Sequence, residues 1–303
     1  MKRPYYTIEE LVPHLSELRE HLLGKPGSTR IEEYRGTLLR LEMLPYSLMA
    51  CQTALYECVS AQEQLLGQIS SRGLDDKTTL HLSPRECEEL AHPVDTFLES
   101  ARRCQNALAY YLSRALRVSV PTRGLELVVR RIERRGLDFG EVINDLLCGH
   151  WKEYGQRLKE YRDLSQHYAI VSSDARVFRS SGDGTVCLYL LLPTNPEVKN
   201  AGMLQYEKPS IHAYVYVRDY FGRLLALVYH VTRKLRERFP DNMNPDGSKT
   251  AILRPAVLRA PIVFGRETGI EGHRIFTHED VREGVSNRIA RNRELYDKHF
   301  RGE

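Results

Sequence analysis

Three long windows of this chain repeat apolar residues at steps of three and four, and that period commits most of it to helices packed by one face. From a cap at Ser28 or Thr29, the series Leu38, Leu41, Leu44, Leu48, Leu55 and Val59 predicts a helix to about Ser70, kinked at Pro45. Ser83-Pro84-Arg85-Glu86 is a cap followed by proline, and it opens a second helix that runs to about Leu116. Leu90, Val94, Leu98, Ala101, Leu108 and Leu112 form its buried stripe, and Pro93 is a second kink. A third window runs from Phe139, after a cap at Asp138, to about Val171. Trp151, Tyr154, Leu158, Tyr161, Ser165 and Tyr168 lie on one face of it, and Gly149 and Gly155 weaken it without ending it.

Shorter elements fill the gaps. Thr7 with Glu10 is a capping box for a helix to about Leu23, stopped by Gly24-Lys25-Pro26-Gly27. An arginine-rich helix spans about Leu125 to Arg135 and ends at Gly136. After the third long helix the pattern changes. Thr185–Leu192 and Ile211–Val217 are rich in β-favouring residues and pair most simply as an antiparallel hairpin. Tyr220–Phe239 returns to helix, Ala256–Phe264 reads as a short edge strand interrupted by Pro261, and a last charged helix spans about His278 to Phe300. The expected fold is mostly α: a helical bundle with kinked long helices, a small β-hairpin insertion and a C-terminal helical region. Residues 1–239 form the bundle with the hairpin at about 185–217, and residues 240–303 form a loop and helix extension packed on the same unit.

Composition narrows the class and not the function. Hydrophobic residues at 42% and charged residues at 28% of 303 positions are ordinary for a soluble globular protein. A net charge of +4 permits an anionic partner without demanding one. The six cysteines are spread with no CxxC pair, which reads as free thiols in a reducing compartment. No apolar run reaches the roughly 18 residues of a membrane span, and MKRPYYTIEEL lacks the apolar core of a secretory signal. The expectation is a cytoplasmic chain with no membrane partner.

The chemistry-bearing residues sit on the third long helix, in the string YRDLSQH. At 100° per residue, Arg162 lies on the shoulder of the aromatic stripe, while Asp163, Gln166 and His167 project from the other side with Gln156 and Lys159. Asp163 and His167 are four apart and therefore neighbours, so the carboxylate is placed to orient the imidazole. Guanidinium plus imidazole is what phosphodiester cleavage needs without a metal: one group moves protons, the other stabilises charge on phosphorus. The same three residues also suit a solvated helix surface. Upstream, Arg130, Arg131, Arg134 and Arg135 are candidate phosphate contacts. Asp95, Glu99, Arg102 and Arg103 read as a charged face of the preceding helix. Cys148 and His150 lack a second pair at zinc spacing, so no metal or other cofactor is expected.

An arginine, a polar residue and a histidine within four to six positions of the arginine, on a helix of an all-α bundle, resemble the signature of HEPN domains. The matching residues are Arg162, Asp163 and His167. The resemblance implies a metal-independent endoribonuclease acting as a homodimer through the signature helix, with the RNA 2′-hydroxyl as the attacking group. It further implies that His167 is the general acid/base, that Arg162 binds the scissile phosphate and that Asp163 positions them. A toxin or defence role is implied by the same likeness. Many members of that family are non-catalytic, so a helical module binding RNA, nucleotide or a protein partner is the alternative.

Overall fold

The computed structural model describes residues 31–71, 80–118, 124–167, 174–179, 186–198, 200–206 and 211–237, with Leu11, Leu15, Leu18 and Leu22 as single helical positions. The edge strand expected at Ala256–Phe264 and the last helix expected at His278–Phe300 lie outside the described residues. What is described is mostly helical. Helix α1 (Ile31–Ser71) runs through Pro45, and α2 (Pro84–Leu116) runs through Pro93. The start of α2 is a reciprocal capping box: Glu86 N donates to Ser83 Oγ at 3.3 Å, and the Glu86 carboxylate accepts from Ser83 N at 2.8 Å. Each arm satisfies an amide that the first helical turn leaves open.

Helix α3 (Leu125–Glu133) closes with Arg135 N on Ile132 O at 2.9 Å and Gly136 N on Arg131 O at 2.8 Å. The left-handed residue at this end is Arg135, with φ of 56°, one position before the glycine expected to end the helix. Helix α4 (Glu141–His150), a π-helical segment (Trp151–Gly155) and α5 (Gln156–His167) follow as one continuous helical run. Asp138 accepts from Gly140 N at 2.7 Å and from the Asn144 side chain at 2.8 Å, which fixes the entry to α4. The π turn accounts for a departure from the expected stripe. The deeply buried positions run Ile143, Leu147, His150, then Gly155, Leu158, Tyr161 and Leu164, with a step of five at the π segment. Trp151, Tyr154 and Ser165 are only half-buried as a result.

The β part differs from the expected hairpin. Strands β1 (Leu80–His81), β2 (Asp174–Arg179), β3 (Val186–Leu192) and β4 (Ile211–His212) form one antiparallel sheet in that order. The longer partner of β3 is β2, in register from Asp174–Leu191 to Arg179–Val186. The expected antiparallel pairing of β3 with the run from Ile211 is present but only two residues long, Leu191 with His212 and Leu192 with Ile211. That run stays extended for two residues and then becomes α6 (Ala213–Arg236). His212 makes the switch: its Nδ1 accepts from Tyr214 N at 3.2 Å, serving the new helix, while Nε2 lies 3.2 Å from Leu188 O of the sheet. Short apolar runs do not separate strand from helix by period alone, and here the helix wins.

The chain divides into two compact units that interleave in sequence. The first comprises Met1–Cys51, Leu98–Lys159 and Tyr220–Leu253; the second comprises Gln52–Phe97, Glu160–Asp219 and Arg254–Glu303. Helices α1, α2, α5 and α6 each contribute a stretch to both. The first unit has a core that includes Leu41, Leu44, Leu48, Leu108, Tyr111, Leu147, Leu224 and Val228. In the second, Leu55, Leu66, Val94, Phe97, Tyr161, Val177, Leu190 and Val217 are buried. Cys51, Cys58 and Cys104 are buried free thiols, and burial pushes each of them up in pKa. No described helix is long and apolar enough to cross a membrane.

Candidate functional site

The polar face of α5 belongs to the second unit and is held from behind by Tyr161. Its ring is buried, its hydroxyl donates to Pro193 O at 2.9 Å, and it meets the Tyr216 ring edge-on at 5.1 Å. Leu164 is buried one turn further on. With 161 and 164 turned inward, the helix must carry 162, 163, 166 and 167 on its flank and outer side. Arg162 and Asp163 are half-buried, and Gln166 and His167 are exposed.

Asp163 gives its carboxylate to Arg162, with Oδ1 3.1 Å from Nη1. That contact takes the place assigned from spacing to an Asp163–His167 pair. An ion pair this open contributes about 0–1 kcal/mol to stability, so its main effect is to hold the guanidinium in place. His167 follows five residues after Arg162, about 1.4 helical turns along the same helix. Ser165, between them in sequence, bonds instead to Asp95 on α2. Burial raises the Asp95 carboxyl above its ordinary range, and the Ser165 hydrogen bond opposes that shift.

The four upstream arginines lie in the first unit, all exposed. Arg130 is paired to Glu126 at 2.6 Å, and Glu126 also takes Lys159 at 3.1 Å. Arg131 reaches Gly136 O at 3.5 Å, closing its own turn. Arg134 and Arg135 make no side-chain bond among the described residues. The acidic and basic side chains of α2 separate as well: Arg103 pairs with Glu99 at 3.1 Å, while Arg102 turns inward.

That inward turn leads to a buried polar network which spacing did not reveal. Arg102 Nη1 donates to Gln105 Oε1 at 3.0 Å, and its guanidinium carbon lies 5.4 Å from the centre of the Trp151 ring. Gln105 Nε2 donates to the Tyr220 hydroxyl at 2.7 Å and lies 3.4 Å from His150 Nε2. The Tyr220 oxygen is 3.3 Å from the same ring nitrogen. With the Gln105 oxygen held by Arg102, its amide NH2 faces His150, so a protonated Nε2 would meet a donor with a donor. Burial, with the Arg223 charge in support, lowers the His150 pKa from 6.5 to about 4. Arg223 itself stacks on Tyr154 of the π segment at 4.0 Å. Trp151 lies over Gly155 so closely that a Cβ there would stand 2.7 Å from the indole Cε3. The network joins three elements whose members are 45 to 115 residues apart, with no local spacing to betray it.

Among the described residues no three His, Cys, Asp or Glu side chains, Cys148 and His150 included, are placed to hold one ion. No protein-family model, curated protein or solved structure matches this chain.

Proposed function

We propose that the chain is a HEPN-like, metal-independent endoribonuclease whose working surface is the polar face of α5. The observation that carries the reading is a half-buried guanidinium, Arg162, paired with the adjacent carboxylate at 3.1 Å, with the exposed imidazole of His167 five residues on along the same helix. Phosphate binding would draw Arg162 from its weak, solvated pair with Asp163 onto the non-bridging oxygens. His167 removes the proton of the RNA 2′-hydroxyl as that oxygen attacks phosphorus. The P–O2′ bond forms, the P–O5′ bond breaks, and an imidazolium returns a proton to the leaving 5′-oxygen. The products are a 2′,3′-cyclic phosphate and a 5′-hydroxyl. A homodimer that pairs two α5 faces would supply one histidine as base and the other as acid. Arg134 and Arg135, exposed at the end of α3 in the first unit, are separate candidate phosphate contacts.

The test is cleavage of total RNA by purified protein in EDTA, beside Arg162→Ala and His167→Ala, with product ends identified. Loss of cyclic-phosphate products in both variants supports the assignment, and cleavage unchanged in the variants contradicts it. RNA binding without cleavage by the wild type would identify a non-catalytic module instead.

A further inference from the structure

A second surface, wholly within the first unit, lies on the outward faces of α1 and α2. The helices meet where the Tyr111 hydroxyl donates to Leu41 O at 3.0 Å. Around that contact Leu41, Leu44 and Leu48 of α1 and Cys104, Leu108 and Leu112 of α2 point into the core. At 100° per residue, Leu39, Met43 and Tyr46 fall on the opposite side of α1, spaced i, i+4, i+7. They are 67%, 39% and 60% exposed, an apolar stripe where a solvated helix normally carries charge. On α2 the same spacing puts Tyr110 and Arg114 on the outer side, and Arg117 follows exposed just past the helix end. Arg40 joins the two rows, with its guanidinium carbon 5.6 Å from the centre of the Tyr110 ring.

The charges on this surface are unbalanced. Arg40, Arg114 and Arg117 are exposed, and none has a carboxylate partner among the described residues. Most of the other cations described above are engaged: Arg103 with Glu99, Arg130 and Lys159 with Glu126. Arg117 also holds an unfavourable backbone. Its φ is 53°, and Val118 N on Ser113 O at 3.2 Å with Ser113 Oγ on Val118 O at 2.8 Å closes the helix around it. Glycine occupies such a position without the Cβ penalty. A cation at a helix C-terminus gains something from the macrodipole, but glycine would relieve more than that exposed contact returns.

We infer that this face binds single-stranded RNA, with Arg40, Arg114 and Arg117 on phosphates and Tyr46, Leu39 and Met43 against unstacked bases. Guanidinium groups interleaved with exposed aromatic and apolar side chains match a strand that offers both charge and open base faces. A duplex offers the charge but hides the base faces. That the strand is RNA rests on the proposed activity; the surface itself rests on exposure and charge.

The experiment measures binding of a fluorescein-labelled single-stranded RNA by full-length protein carrying His167→Ala, so that affinity is read without turnover. Arg114→Gln with Arg117→Gly lowers affinity about tenfold and flattens its salt dependence. Tyr46→Ala lowers it about tenfold with the salt dependence unchanged. Arg117→Gly alone melts no lower than its parent, which separates lost contacts from lost fold. Unchanged affinity in these variants overturns the inference. So does stronger binding to the matching duplex, to single-stranded DNA or to vesicles of phosphatidylserine and phosphatidylcholine. Cleavage by the wild-type chain is scored separately, so a catalytically inert protein that binds through this face would retain the surface and refute only the nuclease.

Discussion

Two histidines on one helical run, His150 and His167, sit in opposite environments: one buried in a polar network, the other exposed on the face proposed as the working surface. His150 ends α4 inside the first unit, 8% exposed, between Gln105 and Tyr220, with its pKa lowered to about 4 by burial and by Arg223. His167 ends α5 in the second unit and is exposed. A buried imidazole that is neutral across the ordinary pH range fixes neighbours and exchanges no proton with solvent. The proposed nuclease uses the exposed one. Residue type picks out both, and burial is what sets them apart.

The largest effect expected from this contrast is on catalysis. His167→Ala lowers RNA cleavage by about 10²–10⁴-fold, as loss of a general acid/base does, while its melting temperature moves little because the site is exposed. Next comes acid sensitivity. His150 binds a proton less readily folded than unfolded, so its contribution to stability is complete above about pH 6.5 and is lost as pH falls toward about 4. The 2.5-unit difference between those values corresponds to about 3 kcal/mol, measurable by urea unfolding at a series of pH values. A stability profile flat between those limits would remove His150 from its neutral, buried role.

Gly155→Ala sharpens the same region. Its Cβ would meet the Trp151 ring at 2.7 Å and Gln105 Nε2 at 3.1 Å, so overpacking costs about 1–3 kcal/mol where helix propensity alone predicts a gain. Equilibrium unfolding decides the sign. Tyr220→Phe is the gentlest of the set. It removes the oxygen that Gln105 Nε2 donates to at 2.7 Å and costs about 1–2 kcal/mol, with the ring still filling its place.

The long helices were legible because Leu41, Leu44 and Leu48, or Leu90, Val94 and Leu98, repeat at the α period and are buried as that period requires. Ser83 with Glu86 was legible as a helix start for an equally local reason. The π turn was not, because Leu158 and Tyr161 fall on the buried side whether or not an extra residue stands between His150 and Gly155. Strand β2 was missed because its pairing with β3 is settled by register across the sheet; Ile211–His212 does pair with β3, but the strand was drawn too long because Tyr214 and Tyr216 alternate by accident within a helix. At the site, spacing placed His167 on an exposed face and Arg162 on its shoulder. It paired Asp163 with the wrong neighbour, since a long arginine side chain can reach a carboxylate one residue away that helical geometry alone would send to i+4. The Gln105–His150–Tyr220 network required the tertiary structure.

One single-turnover assay tests the proposed role of His167 most directly. A short RNA is incubated in EDTA with wild type, His167→Ala and Tyr220→Phe, each confirmed to be folded, and the rate of cyclic-phosphate formation is compared. The predicted result is loss of about 10²-fold or more in His167→Ala and a rate within a few-fold of wild type in Tyr220→Phe. Cleavage that survives in His167→Ala, or that fails only in Tyr220→Phe, would contradict it.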